Sequence, residues 1–331
     1  MKLISAVGID DFSNPSMTNA ATDNIIKRLG ITDLFQANGH PSYGPTPVAG
    51  KGLYMTAYST QTSFLMKDII ADYPTGDCWV AMGVMIDPAL IAAASGPFFQ
   101  ALGMTGAYNV VSNVGSLTRN DIIGIHGQNK RCCAELIWKP ATGQFRVYVN
   151  GVMRDQGNFS LFNTGTYPPA NQLMSLNGWS QQDTTSRFYF TDFYIGIVDS
   201  ISECLGNFKI TKLVAKNSTL NSAGMTPGGA AQLTTGDHTV EFDTAPLAGS
   251  IVAGVVETIR AYSPGPTAAV TTKRTVNGVE TAERKAANLP VAITSLATDE
   301  VVNKRVMAPP AAYAIGTPLT EYKLALSIVN N

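Results

Sequence analysis

The sequence predicts an all-β protein built as two β-sandwich domains, and three observations carry that expectation. Short runs of β-forming residues recur with turn signals about every 8–12 residues. Sustained helical periodicity is almost absent, so the crossover helices that a parallel sheet requires have no source. Two Asn-Gly pairs, Asn150-Gly151 and Asn277-Gly278, stand where alternating runs meet, which is the signal of a tight hairpin.

In chain order, strands are expected at 3–9 (LISAVGI), 79–86 (WVAMGVMI), 122–125 (IIGI), 133–138 (CAELIW), 145–150 (FRVYVN) and 187–198 (RFYFTDFYIGIV). Two short helices are expected between them. In Ala21 to Leu29 the residues Ile25, Ile26 and Leu29 share a face before Gly30, and Pro88 would open a second helix through Ala94. In the stretch FRVYVNGVMRDQGNFS, Asn150-Gly151 supplies the two positive-φ residues of a type I′ turn. Phe145, Val147 and Val149 then face the core, and Arg146 and Tyr148 face solvent.

The first domain is expected to span 1–205, and a second, smaller β-sandwich 206–331, opening with a strand from Phe208 to Ala215. Asn217 to Thr235 is a polar, Gly-rich connection. Further strands are expected at 238–243, 250–262, 269–276 and 321–329, and Val276-Asn277-Gly278-Val279 repeats the turn of Val149-Asn150-Gly151-Val152. The flanks of the two VNGV segments share no other spacing, so they read as one local solution used twice.

A chain of 331 residues with 45% hydrophobic content can bury substantial cores. Its formal charge is -1 and only 14% of residues are charged, against a usual figure of about 25%. Nothing here would hold a polyphosphate, so no nucleic-acid partner is expected. Sparse charge defends a surface weakly against association, which suits either an assembling protein or a neutral one rich in Thr, Ser, Asn and Gly. No window reaches 18 uncharged apolar residues, so no membrane insertion is expected. Asp10 and Asp11 interrupt the N-terminal apolar run, so no signal peptide is expected and the chain is predicted to fold in a cytoplasm.

Catalytic and metal-binding patterns are sought with little return. Cys78, Cys132, Cys133 and Cys204 form no metal-binding spacing with His40, His126 or His238, and buried free thiols are expected. A sandwich glycosidase needs two carboxylates flanking the scissile bond, and the nearest match, Glu241-Phe-Asp243, lacks the second glutamate. The Gly-rich stretch Thr226 to Ala231 lacks the Gly-Lys-Ser/Thr ending of a phosphate loop. Asp10, Asp11 and Asn14 supply oxygens for Ca²⁺ or a solvated turn after the first strand, without a fixed ligand spacing. Neither enzyme activity, catalytic residue, cofactor nor metal is therefore expected. Trp179, in the polar loop Asn177 to Asp183, offers an indole on which a sugar ring can stack, or else closes one end of the sandwich.

The opening VGIDDFSN, the central FLMKDII and DCWVAMGVMI, the hairpin FRVYVNGV and the closing FYFTDFYIGIVDS together resemble bacteriophage virion proteins with an N-terminal concanavalin A-like (laminin-G-like) jelly roll. The order of these parts carries the resemblance through most of 1–205, with the terminal strand expected to pair near the first. The second domain is similar to the β-rich module that follows this jelly roll in tailed-phage structural proteins, with strands like Leu205 to Ile210, Val252 to Tyr262 and Tyr322 to Val329.

The resemblance implies a non-enzymatic structural component of a tailed-phage virion, in the collar, tail, baseplate or head decoration. Its partners would be other virion proteins, in several copies per particle or as a homo-oligomer, after synthesis in the host bacterial cytoplasm. The alternative is a carbohydrate-binding module that holds host surface glycan through Trp179. No ligand set of the family matches positions in this chain.

Overall fold

The computed structural model describes residues 1–8, 34–35, 41–44, 52–55, 63–64, 78–88, 97–105, 108–118, 121–122, 130–139, 141–158, 173–176, 188–211, 213–218, 236–259, 268–280, 284–286, 303–307 and 317–330. These form two compact units, Met1–Ile210 and Thr211–Asn331. Both are all-β, as expected, and among the described residues every strand pair is antiparallel.

The first unit is a jelly-roll-type β-sandwich. Its strands are β1 (Lys2–Val7), β2 (Leu34–Phe35), β3 (Pro41–Gly44), β4 (Gly52–Met55), β5 (Ser63–Phe64), β6 (Trp79–Pro88), β7 (Pro97–Thr105), β8 (Tyr108–Thr118), β9 (Cys132–Trp138), β10 (Gln144–Val149), β11 (Val152–Asn158), β12 (Leu173–Leu176) and β13 (Phe188–Val198). The larger sheet runs β11-β10-β9-β6-β13-β4-β3, with β1 also paired to β13. The first and last strands of the unit are thus neighbours, as the resemblance implies. A second sheet, β12-β7-β8, meets the larger one where Ser116 of β8 donates its backbone N–H and its hydroxyl to Asp155 of β11, at 2.6 and 3.1 Å.

All seven residues of β9 are buried, so the middle of the larger sheet is covered on both faces. One face carries Trp138, Leu136 and Ala134, opposite Phe145, Val147 and Val149 of β10 and Val80, Met82 and Val84 of β6. The other carries Ile137, Glu135 and Cys133, and residues 199–210 lie over it. Tyr148 therefore does not face solvent as expected. It is 5% exposed and its hydroxyl donates to the Ile201 carbonyl at 2.8 Å, while Arg146 beside it reaches Ser202 Oγ at 3.0 Å.

Residues 199–210 complete the first unit. The strand expected from Phe208 to Ala215 does not form, and the backbone of 201–211 is irregular. Two of its N–H groups are held by a carboxylate of the larger sheet, and Phe208 packs edge-on against Tyr194 with ring centroids 4.9 Å apart. The segment thus belongs to the first unit, five residues beyond the expected boundary at Leu205. Pro88 ends β6 rather than opening a helix, and Ile122 lies in a helical turn rather than a strand. The expected helix from Ala21 to Leu29 lies outside the described residues.

The second unit has β14 (Ala215–Ser218), β15 (Gly236–Phe242), one turn of 3-10 helix (Ala245–Leu247), β16 (Val255–Ile259), β17 (Ala268–Val276), β18 (Val279–Glu280), β19 (Arg284–Ala286), β20 (Asn303–Met307) and β21 (Tyr322–Asn330). Its main sheet runs β14-β15-β21-β17-β18, with β19 on β17, and β16 pairs separately with β20. The apolar alternation of β21 buries Tyr322, Leu324 and Leu326 on one face. Val276, Leu319 and Tyr322 form a core cluster into which Leu213, Phe242, Leu247, Val252 and Val255 pack. The long strand expected over 250–262 is shorter, because Ile251 to Gly254 is not strand.

Both Asn-Gly pairs turn hairpins in the left-handed region, with φ of 49° and 76° at Asn150 and Gly151, and 48° and 81° at Asn277 and Gly278. The likeness extends beyond the turn. Asn150 donates its backbone N–H to the Cys133 carbonyl at 2.9 Å, and its Oδ1 accepts from the Cys133 N–H at 2.7 Å. Asn277 repeats the exchange with Glu321, at 3.0 and 3.1 Å. Cys133 lies at the start of β9 and Glu321 immediately precedes β21, each the strand that neighbours the hairpin, so each asparagine ties its turn to a third strand.

Candidate functional site

Of the residues to which the sequence assigns a binding role, Trp179 lies outside the described residues, as do Asp10, Asp11, Asn14, His40 and His126. His238 lies in β15 opposite Leu326. Glu241 and Asp243 are both placed. Glu241 stands opposite Lys323 in the β15-β21 ladder. Asp243 lies past the end of β15, where its Oδ1 accepts from Ala245 N–H at 3.0 Å and its own N–H donates to Val214 O at 2.8 Å. This is a side-chain turn that opens the 3-10 helix.

The polar constellation that the fold builds lies under residues 199–210. One cross-strand row of the larger sheet reads Tyr148, Glu135, Gly83, Tyr194 from β10 through β9 and β6 to β13. Gly83 has no side chain, so the Tyr194 ring lies across it and reaches Glu135. A Cβ at Gly83 would stand 2.1 Å from Tyr194 Cε1. Glu135 is fully buried and accepts three strong hydrogen bonds. Tyr194 Oη and Leu205 N–H donate to Oε1 at 2.5 and 2.7 Å, and Gly206 N–H donates to Oε2 at 2.7 Å. The Cys133 thiol on the same strand face also bonds to it.

Burial pushes the Glu135 carboxyl above the ordinary glutamate range, and the bonds from Tyr194, Leu205, Gly206 and Cys133 pull the other way without cancelling it. Burial, reinforced by the Glu135 charge, raises Tyr194 and Cys133 well above their usual values and raises Cys204 as well. These groups therefore hold their protons, and the thiols are not activated nucleophiles. None of the four cysteines is in a disulfide, and Cys132 and Cys133 are buried. Further along the same sheet, Arg131 pairs with the buried Asp192 and donates to Thr191 Oγ1 at 2.9 Å.

Chemically, the cluster is a clamp. A carboxylate whose oxygens are occupied by two backbone amides and a phenol fixes a chain segment and has no open side for a substrate. Sequence reasoning passes over it. Glu135 is visible as one acid inside the apolar run CCAELIW, while its partners Leu205 and Gly206 are 70 residues away and read there as a domain boundary. Among the described residues no group of His, Cys, Asp and Glu is arranged to hold a metal ion, and no helix is long and apolar enough to cross a membrane.

No family model matches the chain, and no curated protein matches it. Solved structures with some likeness include a Trypanosoma rangeli sialidase, at 13% identity and a TM-score of 0.31, over 49% of this chain and 29% of that one. The chain thus spans under a third of the sialidase's length. Domain 4 of AbnA, an extracellular arabinanase from Geobacillus stearothermophilus, has 14% identity and a TM-score of 0.29 over 60% of this chain and 94% of that one. The binding domain of botulinum neurotoxin serotype D has 8% identity and a TM-score of 0.29, over 48% and 41%.

Proposed function

We propose that this chain is a non-enzymatic structural component of a tailed-phage virion that works through contacts with other virion proteins. The observation that carries this reading is the closed central sheet of the first unit. Every residue of β9 is buried, and the acid inside it is occupied by the protein's own backbone. The sandwich has its chemistry turned inward and offers its partners hairpins and sheet edges on a rigid frame. The order of family-like elements and the pairing of β1 with β13 support the same reading. In this reading the protein is made in the host cytoplasm and ends in the particle, in several copies. Mass spectrometry and antibody labelling of purified particles test it. The chain should be present at a fixed stoichiometry, and particles that lack it sink the proposal.

A second reading, host-glycan binding, rests on Trp179 in its polar loop. The covered faces of β9 leave no open sheet face at the centre for a sugar, so such binding would fall to loops. A glycan array with a Trp179→Ala control separates the two readings. Binding that the substitution abolishes supports the second, and no signal at millimolar glycan counts against it.

A further inference from the structure

The segment Val-Asn-Gly-Val occurs twice in the chain, at 149–152 and 276–279. An Asn-Gly peptide is the setting in which asparagine loses its side-chain amide most readily, because glycine has no Cβ to hinder its nitrogen. The glycine nitrogen, once it has given up its proton, attacks the asparagine Cγ. The N–Cγ bond forms, the Cγ–Nδ2 bond breaks and ammonia leaves. Water then opens the cyclic imide at either carbonyl and yields aspartate or isoaspartate, and neither an oxidant nor a reductant takes part.

The two turns match in backbone and in exposure. φ is 49° and 76° in one and 48° and 81° in the other, both asparagines are half-buried and both glycines are exposed. They differ in the residue that the third strand supplies. In the second unit it is Glu321. Its Oε2 accepts the Gly278 N–H at 2.9 Å, and its Oε1 lies 2.5 Å from Lys323 Nζ, which holds the carboxyl below the ordinary glutamate range. In the first unit it is Cys133, whose thiol bonds to Glu135 and keeps its proton. Residues 199–206 cross the outer face of the larger sheet as a strap, tied down through Arg146, Tyr148 and Glu135. The strap meets the first turn at Gly206, whose Cα stands 3.6 Å from a Cβ built at Gly151.

We propose that Asn150-Gly151 is a site of spontaneous deamidation in the folded chain, and that Glu321 guards the identical Asn277-Gly278 pair against the same reaction. The reaction needs the glycine nitrogen as an anion. A carboxylate hydrogen-bonded to that N–H both retains the proton and repels the charge that its loss would create. The electrophile of the second turn is held as well. Asn277 Oδ1 accepts from Thr320 N–H, Thr320 Oγ1 and Glu321 N–H, and Nδ2 donates to the Pro318 carbonyl, so Cγ cannot swing toward Gly278 without giving up these bonds. At Asn150, Oδ1 accepts from the Cys133 N–H, and the partner residue offers a neutral thiol in place of the carboxylate. Conversion there adds a negative charge, and the isoaspartyl form adds a backbone carbon to the turn against which Gly206 packs.

Peptide mapping by mass spectrometry of the full chain, held folded in a mildly alkaline buffer, tests the proposal. Trypsin places the two turns on different peptides, 147–154 and 275–284. Asn150 should convert about tenfold faster than Asn277 or more, the factor that one hydrogen bond to a charged group supplies. In denaturant the two should convert at equal rates, because their immediate neighbours are identical. Glu321→Ala should bring Asn277 toward the rate of Asn150 and leave Asn150 unchanged, whereas Glu321→Gln keeps an acceptor for Gly278 and should release it less. Equal rates at the two sites in the folded chain overturn the proposal, as does an Asn150 that stays intact when folded while the denatured chain converts. An Asn277 that Glu321→Ala leaves as slow as in the wild type overturns it too. If Glu321→Ala does not fold, the comparison within the folded wild type decides.

Discussion

A methyl group at Gly83 would overlap the ring of Tyr194, and the consequences run through the whole row. The built Cβ stands 2.1, 2.8 and 2.9 Å from three ring atoms, all in the rigid part of the side chain. Gly83→Ala must therefore expel Tyr194 from its place over β6, and Glu135 loses its phenolic donor with it. The expected cost is about 2 to 3 kcal/mol from overpacking and the lost bond, measured as a drop in the urea midpoint with an unchanged slope. Gly83→Ala combined with Tyr194→Phe should cost nearly as much as Gly83→Ala alone, because the clash is with the ring and not with its hydroxyl. A glycine inside an apolar strand pattern signals close approach, but only the register of three strands shows that the approaching group is Tyr194.

The two Asn-Gly hairpins show a local sequence signal with a tertiary purpose. At Gly151 a side chain would have room, since the nearest atom to a built Cβ is Gly206 Cα at 3.6 Å. Its φ of 76° is what excludes β-branched residues. Gly151→Val should cost about 2 kcal/mol from the left-handed backbone, and Gly151→Asn much less, because asparagine tolerates that region. Equal midpoints for the two variants in thermal melts would show that φ is not the cause. At Asn277 the side chain matters more than the turn. Its Oδ1 accepts from Thr320 N–H, Thr320 Oγ1 and Glu321 N–H at 2.8, 3.0 and 3.1 Å, and its Nδ2 donates to the Pro318 carbonyl at 2.8 Å. Asn277→Gly keeps the backbone freedom and removes these bonds, so it should still cost about 1 to 2 kcal/mol of the second unit's stability. The turn type is readable from two residues, whereas the tie to β21 needs residues more than 40 positions away.

For the whole molecule, the boundary between the units decides where the chain can be cut. A fragment of residues 1–210 retains the strap, the Phe208 contact with Tyr194 and both amides that hold Glu135. A fragment of residues 1–204 leaves that acid without its backbone donors and uncovers the face that carries Glu135 and Tyr194. The longer fragment should unfold cooperatively, and the shorter should be destabilised by about 3 kcal/mol or more and bind a dye for exposed apolar surface. Equal stability of the two would mean that the strap contributes nothing to the first unit.

The sequence by itself determined the all-β class, the two-part organisation, the central strands near 79–86, 133–138 and 187–198, and the left-handed Asn-Gly turns. Each of these is set by residues close together in the chain, through period-two alternation or through φ angles that few residues adopt. Tertiary structure decided the rest. Tyr148 alternates like an outward residue and Glu135 reads as an isolated acid, yet both are buried because residues 199–210 return across their face. That return depends on hydrogen bonds between positions 53 to 71 residues apart, which no local periodicity encodes. The same cause overrides a local signal at Leu205 to Ile210, which has the composition of a strand while the amides of Leu205 and Gly206 are claimed by a carboxylate in β9.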